Sequence, residues 1–213
     1  MNITKKITRG KLKQFIERHL SDKYTLDIGA GNSPYSHYFP NRVGFDIAAG
    51  PGVQVVGDAH TLPFADETFE IVLSTEVLEH LHSPHVAIAE MRRVLKKGGL
   101  VLLSTRFIFP IHDAPHDYFR YTEFGLKRLF REWDIVELVA EAGEGETFAT
   151  LFQRLGFKTL ARKTFFSKLL AVCYFITARM IMFAVRVVKK SNDTPTYPES
   201  IMTSGYYLVA RKR

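Results

Sequence analysis

The chain has 213 residues, 46% hydrophobic and 24% charged, enough to bury a real core and incompatible with a disordered or coiled-coil protein. Its formal charge of +7 is spread without a run of five like charges, so basic balance alone names no partner. One cysteine, Cys173, excludes an intrachain disulfide and a multi-cysteine zinc site, and fits a reducing, cytoplasmic setting.

Residues 4–20 place Leu12, Phe15, Ile16 and Leu20 at helical spacing and predict an amphipathic helix. The start is polar and cationic, without the apolar run of a signal peptide. Short apolar runs at 24–29, 42–47, 53–58 and 69–74 predict buried strands. Ser83 followed by Pro84 predicts a helix start. The cationic turn Arg92 to Lys97 with Gly98-Gly99 predicts its end, ahead of a strand at 99–107. A helix over 122–132 and strands at 134–143 and 205–213 complete the pattern. Strands alternating with helices predict an α/β fold, its mostly parallel sheet covered by helices on both faces, with ligands at the carboxyl ends of the strands.

The stretch "LDIGAGNSPY", Leu26 to Tyr35, ends a buried strand in Asp27 and turns at Gly29 and Gly31. Glycines there let a ligand approach main-chain N–H groups that a side chain would block. "GFDI" puts Asp46, with Ile47 after it, at the end of the second strand, where a carboxylate can accept hydrogen bonds from both hydroxyls of a ribose. Asp58 ends the third strand and "STEVLEHL" follows the fourth.

Taken in that order, these elements resemble the class I S-adenosylmethionine-dependent methyltransferases, specifically the small type 11-like family with a DxGxG first motif. The resemblance covers about residues 22–143 plus the last strand. It implies a Rossmann-like, mixed seven-stranded sheet, mostly parallel with the last strand reversed, and a helical insertion at 144–204 within one methyltransferase domain. It also implies S-adenosylmethionine as cofactor. Asp27, Gly29 and Gly31 would serve its amino acid moiety, Asp46 its ribose, and Asp58 and Ala59 its adenine, with Ser74, Thr75 and Glu76 closing over it and Ile47 as a further cofactor-binding residue. Ser33 stands where the family often has a third glycine, and with Pro34 it predicts the cap of a short helix instead.

The resemblance leaves the acceptor open. No "N/D-P-P-Y" follows the fourth strand, and Cys173 does not follow a strand, so neither methylation of DNA exocyclic amines nor a cysteine adduct to a pyrimidine is expected. Transfer to oxygen commonly needs a base. The family fold lays "HDAPHDYFRY", His112 to Tyr121, over the acceptor side. His112 and His116 are its candidate bases, with His80, Tyr118 and Arg120 as further substrate-side residues. In the competing reading, Asp117, Tyr118 and Arg120 only brace the loop and Thr122 caps the next helix. No metal is expected.

Residues 165–188 are strongly apolar but interrupted by Lys168, Arg179 and Arg186, too much central charge for a spanning helix. Wound as a helix, those cations and Lys190 fall within about 40° of one another. That pattern suits an in-plane helix on a membrane surface through 165–190, peripheral on its inner face. It also suits a lid over the site or a homo-oligomer contact. Three functions follow: methyl transfer to a small or lipid-linked acceptor such as a sugar or glycolipid hydroxyl, methylation of tRNA or other RNA, or cofactor binding by a non-catalytic partner protein. The chain lacks basic motifs interleaved with aromatics, which disfavours nucleic acid.

Overall fold

Seven apolar runs pair into one sheet in the computed structural model, which describes residues 6–32, 34–191 and 201–213. In chain order the strands are β1 (Thr25–Ile28), β2 (Arg42–Asp46), β3 (Val55–Val56), β4 (Phe69–Thr75), β5 (Leu95–Arg106), β6 (Trp133–Ala140) and β7 (Gly205–Lys212), in the spatial order β3-β2-β1-β4-β5-β7-β6. β1 pairs parallel with β2 (Asp27 beside Gly44) and with β4 (Ile28 beside Ser74), and β4 pairs parallel with β5. β7 runs antiparallel to β5, with Leu103 beside Leu208, so the last strand is the reversed one. Chain direction across the sheet switches between β1 and β4, which opens a crevice at their carboxyl ends.

The central strands are buried on both faces and read as continuous apolar runs. Leu26, Val72, Val101, Leu102 and Leu103 are all within 1% of full burial. Helix α1 (Ile7–Glu17) contributes Phe15, which stacks on Tyr207 of β7 at 4.7 Å. α2 (Pro84–Val94) buries Ala87, Ile88, Met91 and Val94 at i, i+1, i+4 and i+7, an amphipathic stripe. α3 (Glu123–Leu129) starts where sequence predicts: the Thr122 hydroxyl accepts from the Gly125 N–H at 3.1 Å.

Several boundaries move. The predicted helix ends at Val94, and Leu95 to Gly99 extend β5 because Gly98, at φ +74°, turns the chain without ending its pairing. Ser83 occupies the cap position of α2 but makes no side-chain cap; its hydroxyl meets His82 Nδ1 instead, at 2.9 Å. β3 is only two residues long. Ser33 lies outside the described residues.

The chain divides into two compact units. The sheet unit comprises Lys13–Phe107, Ile111–Val139 and Gly205–Arg213. The second comprises Met1–Leu12, Ile108–Pro110 and Ala140–Ser204, and its body is a helical hairpin of α4 (Glu144–Leu160) and α5 (Phe165–Ser191). Gly156 lets α4 approach Phe175 of α5: a Cβ there would lie 2.8 Å from the ring. Phe157 and Phe175 meet at 5.1 Å. Lys11 pairs with Glu146, and the Ile7 N–H donates to Gln153 Oε1 at 3.0 Å, tying the start of α1 to α4.

Candidate active site

The glycine turn after β1 is built as its sequence requires. Gly29 (φ +76°) and Gly31 (φ +46°) are left-handed, and a Cβ on Gly29 would meet Val77 Cγ2 at 2.2 Å. The Gly31 N–H donates to Asp46 Oδ2 at 3.0 Å and the Ala48 N–H to Asp46 Oδ1 at 3.3 Å. Two backbone donors thus aim the carboxylate at the end of β2 while leaving each oxygen a lone pair for a ligand.

A cavity of about 370 Å³ opens over these groups. Gly29, Asp46, Ile47, Asp58 and Ala59 line it, together with His80, His116 and Tyr118. The size suits one nucleoside-sized ligand. Asp27, Gly31, Ser74, Thr75 and Glu76 are not among its lining residues. Asp27 is buried against Arg42, 3.3 Å away, and the Ser74 hydroxyl is buried without a hydrogen-bond partner among the described residues. Glu76, at φ +59°, turns its carboxylate away to the Ser104 hydroxyl at 2.7 Å and to Arg106.

Asp58 gains an orienting partner that sequence reasoning missed. Ser83 N–H donates to His60 Nε2 at 3.2 Å, so that nitrogen is the acceptor and Nδ1 carries the proton. Nδ1 donates to Asp58 Oδ1 at 2.5 Å, and the His60 N–H donates to the same oxygen at 2.9 Å. These bonds hold the Asp58 carboxyl below the usual range, the backbone bond first, and leave Oδ2 outside both bonds. The ring of His82 stacks on His60 at 4.1 Å. Asp58 and His60 are two residues apart but His82 lies 22 further on, so their meeting depends on the fold.

The loop after β5 splits between the two roles weighed for it. Asp117 is pinned by Arg120, with both guanidinium nitrogens 2.6 Å from its carboxylate, and accepts from the His112 N–H at 2.9 Å. The guanidinium, then the His112 bond, bring the Asp117 carboxyl down to about 2. Arg120 therefore faces Asp117, and neither it nor His112 lines the cavity. His112 packs its ring against His80 at 4.7 Å and lies 3.4 Å from Asp117. His116 is exposed, with Nδ1 3.0 Å from the Tyr118 hydroxyl.

Behind His80 sits Glu79, fully buried and overlooked in sequence. Its Oε2 accepts from the Thr105 hydroxyl at 2.8 Å, while Oε1 has no partner among the described residues. Burial pushes its carboxyl up. The Glu79 carbonyl accepts from Tyr118 and Phe119 N–H groups at 2.9 and 3.2 Å, and Tyr121 donates its hydroxyl to the Leu78 carbonyl at 3.1 Å, which bind the loop to the element after β4. His80 Nδ1 lies 2.5 Å from the His116 carbonyl oxygen. A carbonyl only accepts, so Nδ1 carries a proton and, in the neutral ring, Nε2 is the nitrogen with the free lone pair. Glu79, His80 and His112 each bring a ligand-type atom within 4.8 Å of the others, as do Asp58, His60 and His82.

Comparison with known proteins adds the following. Residues 26–103 match a family described as "Methyltransferase domain". An uncharacterized protein of Methanocaldococcus jannaschii is 33% identical over 97 residues, 42% of this chain and 47% of the relative. An uncharacterized methyltransferase of Mycobacterium marinum is 47% identical over 95 residues, 37% of each chain. The chain thus spans half or less of the length of these curated relatives. Among solved structures, the 4+2-cyclase SpnF aligns with a TM-score of 0.61 at 15% identity, over 95% of this chain and 80% of that one. The 1,6-didemethyltoxoflavin-N1-methyltransferase of Burkholderia thailandensis, solved with bound S-adenosylhomocysteine, aligns with a TM-score of 0.57 at 15% identity, over 97% and 78%. At such identity these likenesses speak for the fold alone.

Proposed function

We propose that this chain, a member of the class I S-adenosylmethionine-dependent methyltransferases, transfers a methyl group to a hydroxyl of a small or lipid-linked acceptor held against the loop after β5. The observation that carries the reading is one cavity lined both by the acids and glycine at the strand ends, Asp46, Gly29 and Asp58, and by His80, His116 and Tyr118.

S-Adenosylmethionine, when bound, supplies a methyl group on a positively charged sulfur, open to in-line displacement. Asp46 would accept from its ribose hydroxyls, the backbone at Gly29 and Gly31 would admit its amino acid end, and Asp58 Oδ2 would accept from its adenine amine. The chain's remaining tasks are to align the acceptor, exclude water and take a proton. His80 takes the acceptor's hydroxyl proton at Nε2, because its Nδ1 is held by the His116 carbonyl. This moves the candidate base from His112 and His116 to His80. His116 becomes the residue that fixes its tautomer through the backbone.

The test uses purified protein. Asp46→Ala should weaken S-adenosylmethionine binding about 10- to 100-fold by isothermal titration, the worth of hydrogen bonds to a charged group. Unchanged affinity rejects the cofactor assignment. Acceptor fractions from cells with and without the protein supply substrate, with methylated glycolipids and tRNA nucleosides compared. On that substrate His80→Ala should lower turnover about 100-fold or more, and His116→Ala should have a smaller effect. Intact cofactor binding without turnover on any fraction would favour the non-catalytic partner reading.

A further inference from the structure

α5 presents two unlike faces. At about 100° per residue, Ser167, Ala171, Phe175 and Ala178 share one side, all buried and turned to α4. The opposite side carries Phe165, Leu169, Ile176, Met180, Phe183 and Val187, with Phe165 76%, Met180 66% and Phe183 70% exposed. The apolar stretch Phe165–Val188 is long and apolar enough by composition to cross a membrane, yet only 17% of its most apolar window is buried. At 1.5 Å per residue the exposed face runs about 36 Å, an extent of greasy surface that soluble monomers seldom leave open.

Charge says what covers it. Lys168 and Arg186, both exposed, lie on one edge of this face, roughly 90° from its centre. Between Thr147 and Asn192 the sequence holds nine Lys and Arg and no Asp or Glu. Subtracting those nine from the 29 basic residues leaves 20 against 22 acidic ones, so the net positive charge of the chain belongs to this segment. A second copy seated on the face would bring the same cations to both sides with no carboxylate to meet them. A spanning orientation would carry Arg179 into the hydrocarbon and draw along α4, with its Glu144, Glu146, Arg154 and Lys158.

We infer that α5 lies in the plane of an anionic lipid bilayer, its Phe165–Val187 face among the acyl chains and Lys168 and Arg186 at the headgroups. Apolar insertion and attraction to anionic lipid then act together, as stable interfacial binding requires. The inference rests on side chains of α5, none of which lines the cavity described above, and stands whether or not methyl transfer is the activity.

Cys173, exposed on α5 and the sole cysteine, is a built-in reporter position. The full chain, labelled there with an environment-sensitive fluorophore, is mixed with phosphatidylcholine vesicles with or without about 30% phosphatidylglycerol. The expected result is a blue shift with the anionic vesicles at a lipid concentration about tenfold lower than with the neutral ones. Lys168→Glu with Arg186→Glu should weaken binding about tenfold or more, and Met180→Glu with Phe183→Glu should remove the shift. Circular dichroism melts of both variants should match the wild type, since all four side chains lie outside the packed face. Flotation of unlabelled protein checks that the label does not create the binding. Absence of binding to either vesicle overturns the inference. So does a stable dimer that Met180→Glu with Phe183→Glu converts to monomer, which assigns the face to a second copy. Retention in the bilayer after alkaline carbonate overturns the in-plane orientation.

Discussion

Asp117 shows how one carboxylate can organise a loop without touching a ligand. Its folded pKa of about 2 lies below the ordinary 3.8, so the native state gains stability once the pH exceeds about 4 and loses it as pH falls through 4 toward 2. The Asp117 side chain is almost wholly buried while Arg120 is partly exposed, so the contribution is about 1–2 kcal/mol after screening. Asp117→Asn should therefore lower unfolding stability by about 1–2 kcal/mol at pH 7, and the gap to wild type should close near pH 2. Urea titrations at the two pH values check this; a gap that persists at low pH would mean that the loop depends on packing and not on the ion pair. Glu79, some 38 residues earlier in the chain, has the opposite environment: burial raises it, and among the described residues only one of its oxygens has a hydrogen-bond partner. Neither environment can be read from residue identity, since it is set by neighbours brought from β5 and the loop beyond it.

At the scale of elements, the turn after β1 was the most legible part of the molecule, because local backbone demand and residue type agree there. A Gly29→Ala change asks for a side chain at φ +76° and against Val77 Cγ2, so it should cost about 1–3 kcal/mol and loosen cofactor binding together. Thermal unfolding and titration of the same variant check it, and a fully stable, tight-binding alanine variant would show that the turn tolerates a shift. Asp46 and Asp58 were legible for the same reason: Asp46 ends β2 and Asp58 comes just after β3, and the strand ends are where an open α/β sheet holds ligands. What stayed hidden depends on long-range contact. His60 fixes Asp58 only because Ser83, at the start of α2, reaches its far nitrogen. Asp27 meets Arg42 across β1 and β2, and Glu76 turns toward Ser104 and Arg106, so strand register decides which acids point at the cavity. The end of α2 was missed because Gly98 can close a helix or bend a strand, and pairing with β4 chose the second.

For the whole molecule, charge and chemistry lie in different places. The sheet unit, Lys13–Phe107, Ile111–Val139 and Gly205–Arg213, carries 16 basic and 17 acidic groups, so it has no net positive field with which to gather a polyanion. Its cavity lining brings Asp46 and Asp58 together with His60, His80, His82 and His116 and includes no Lys or Arg, so it offers no basic platform for a nucleic-acid backbone. A tRNA-modifying enzyme must position a backbone near the acceptor side, and nothing in the sheet unit's composition favours that. The cations of α4 and α5 still attract nucleic acid in dilute salt, as any basic segment does, but such attraction is nonspecific and falls steeply with ionic strength. The chain should accordingly bind unmodified tRNA no tighter than about 10⁻⁶ M at physiological salt, within the nonspecific range. Lys168→Glu with Arg186→Glu should weaken that binding along with vesicle binding. Filter binding over a salt series decides the matter. A dissociation constant below about 10⁻⁷ M, insensitive to the α5 charges, would mean that the sheet unit itself recognises RNA and would move the acceptor from a hydroxyl of a small or lipid-linked molecule to a nucleotide.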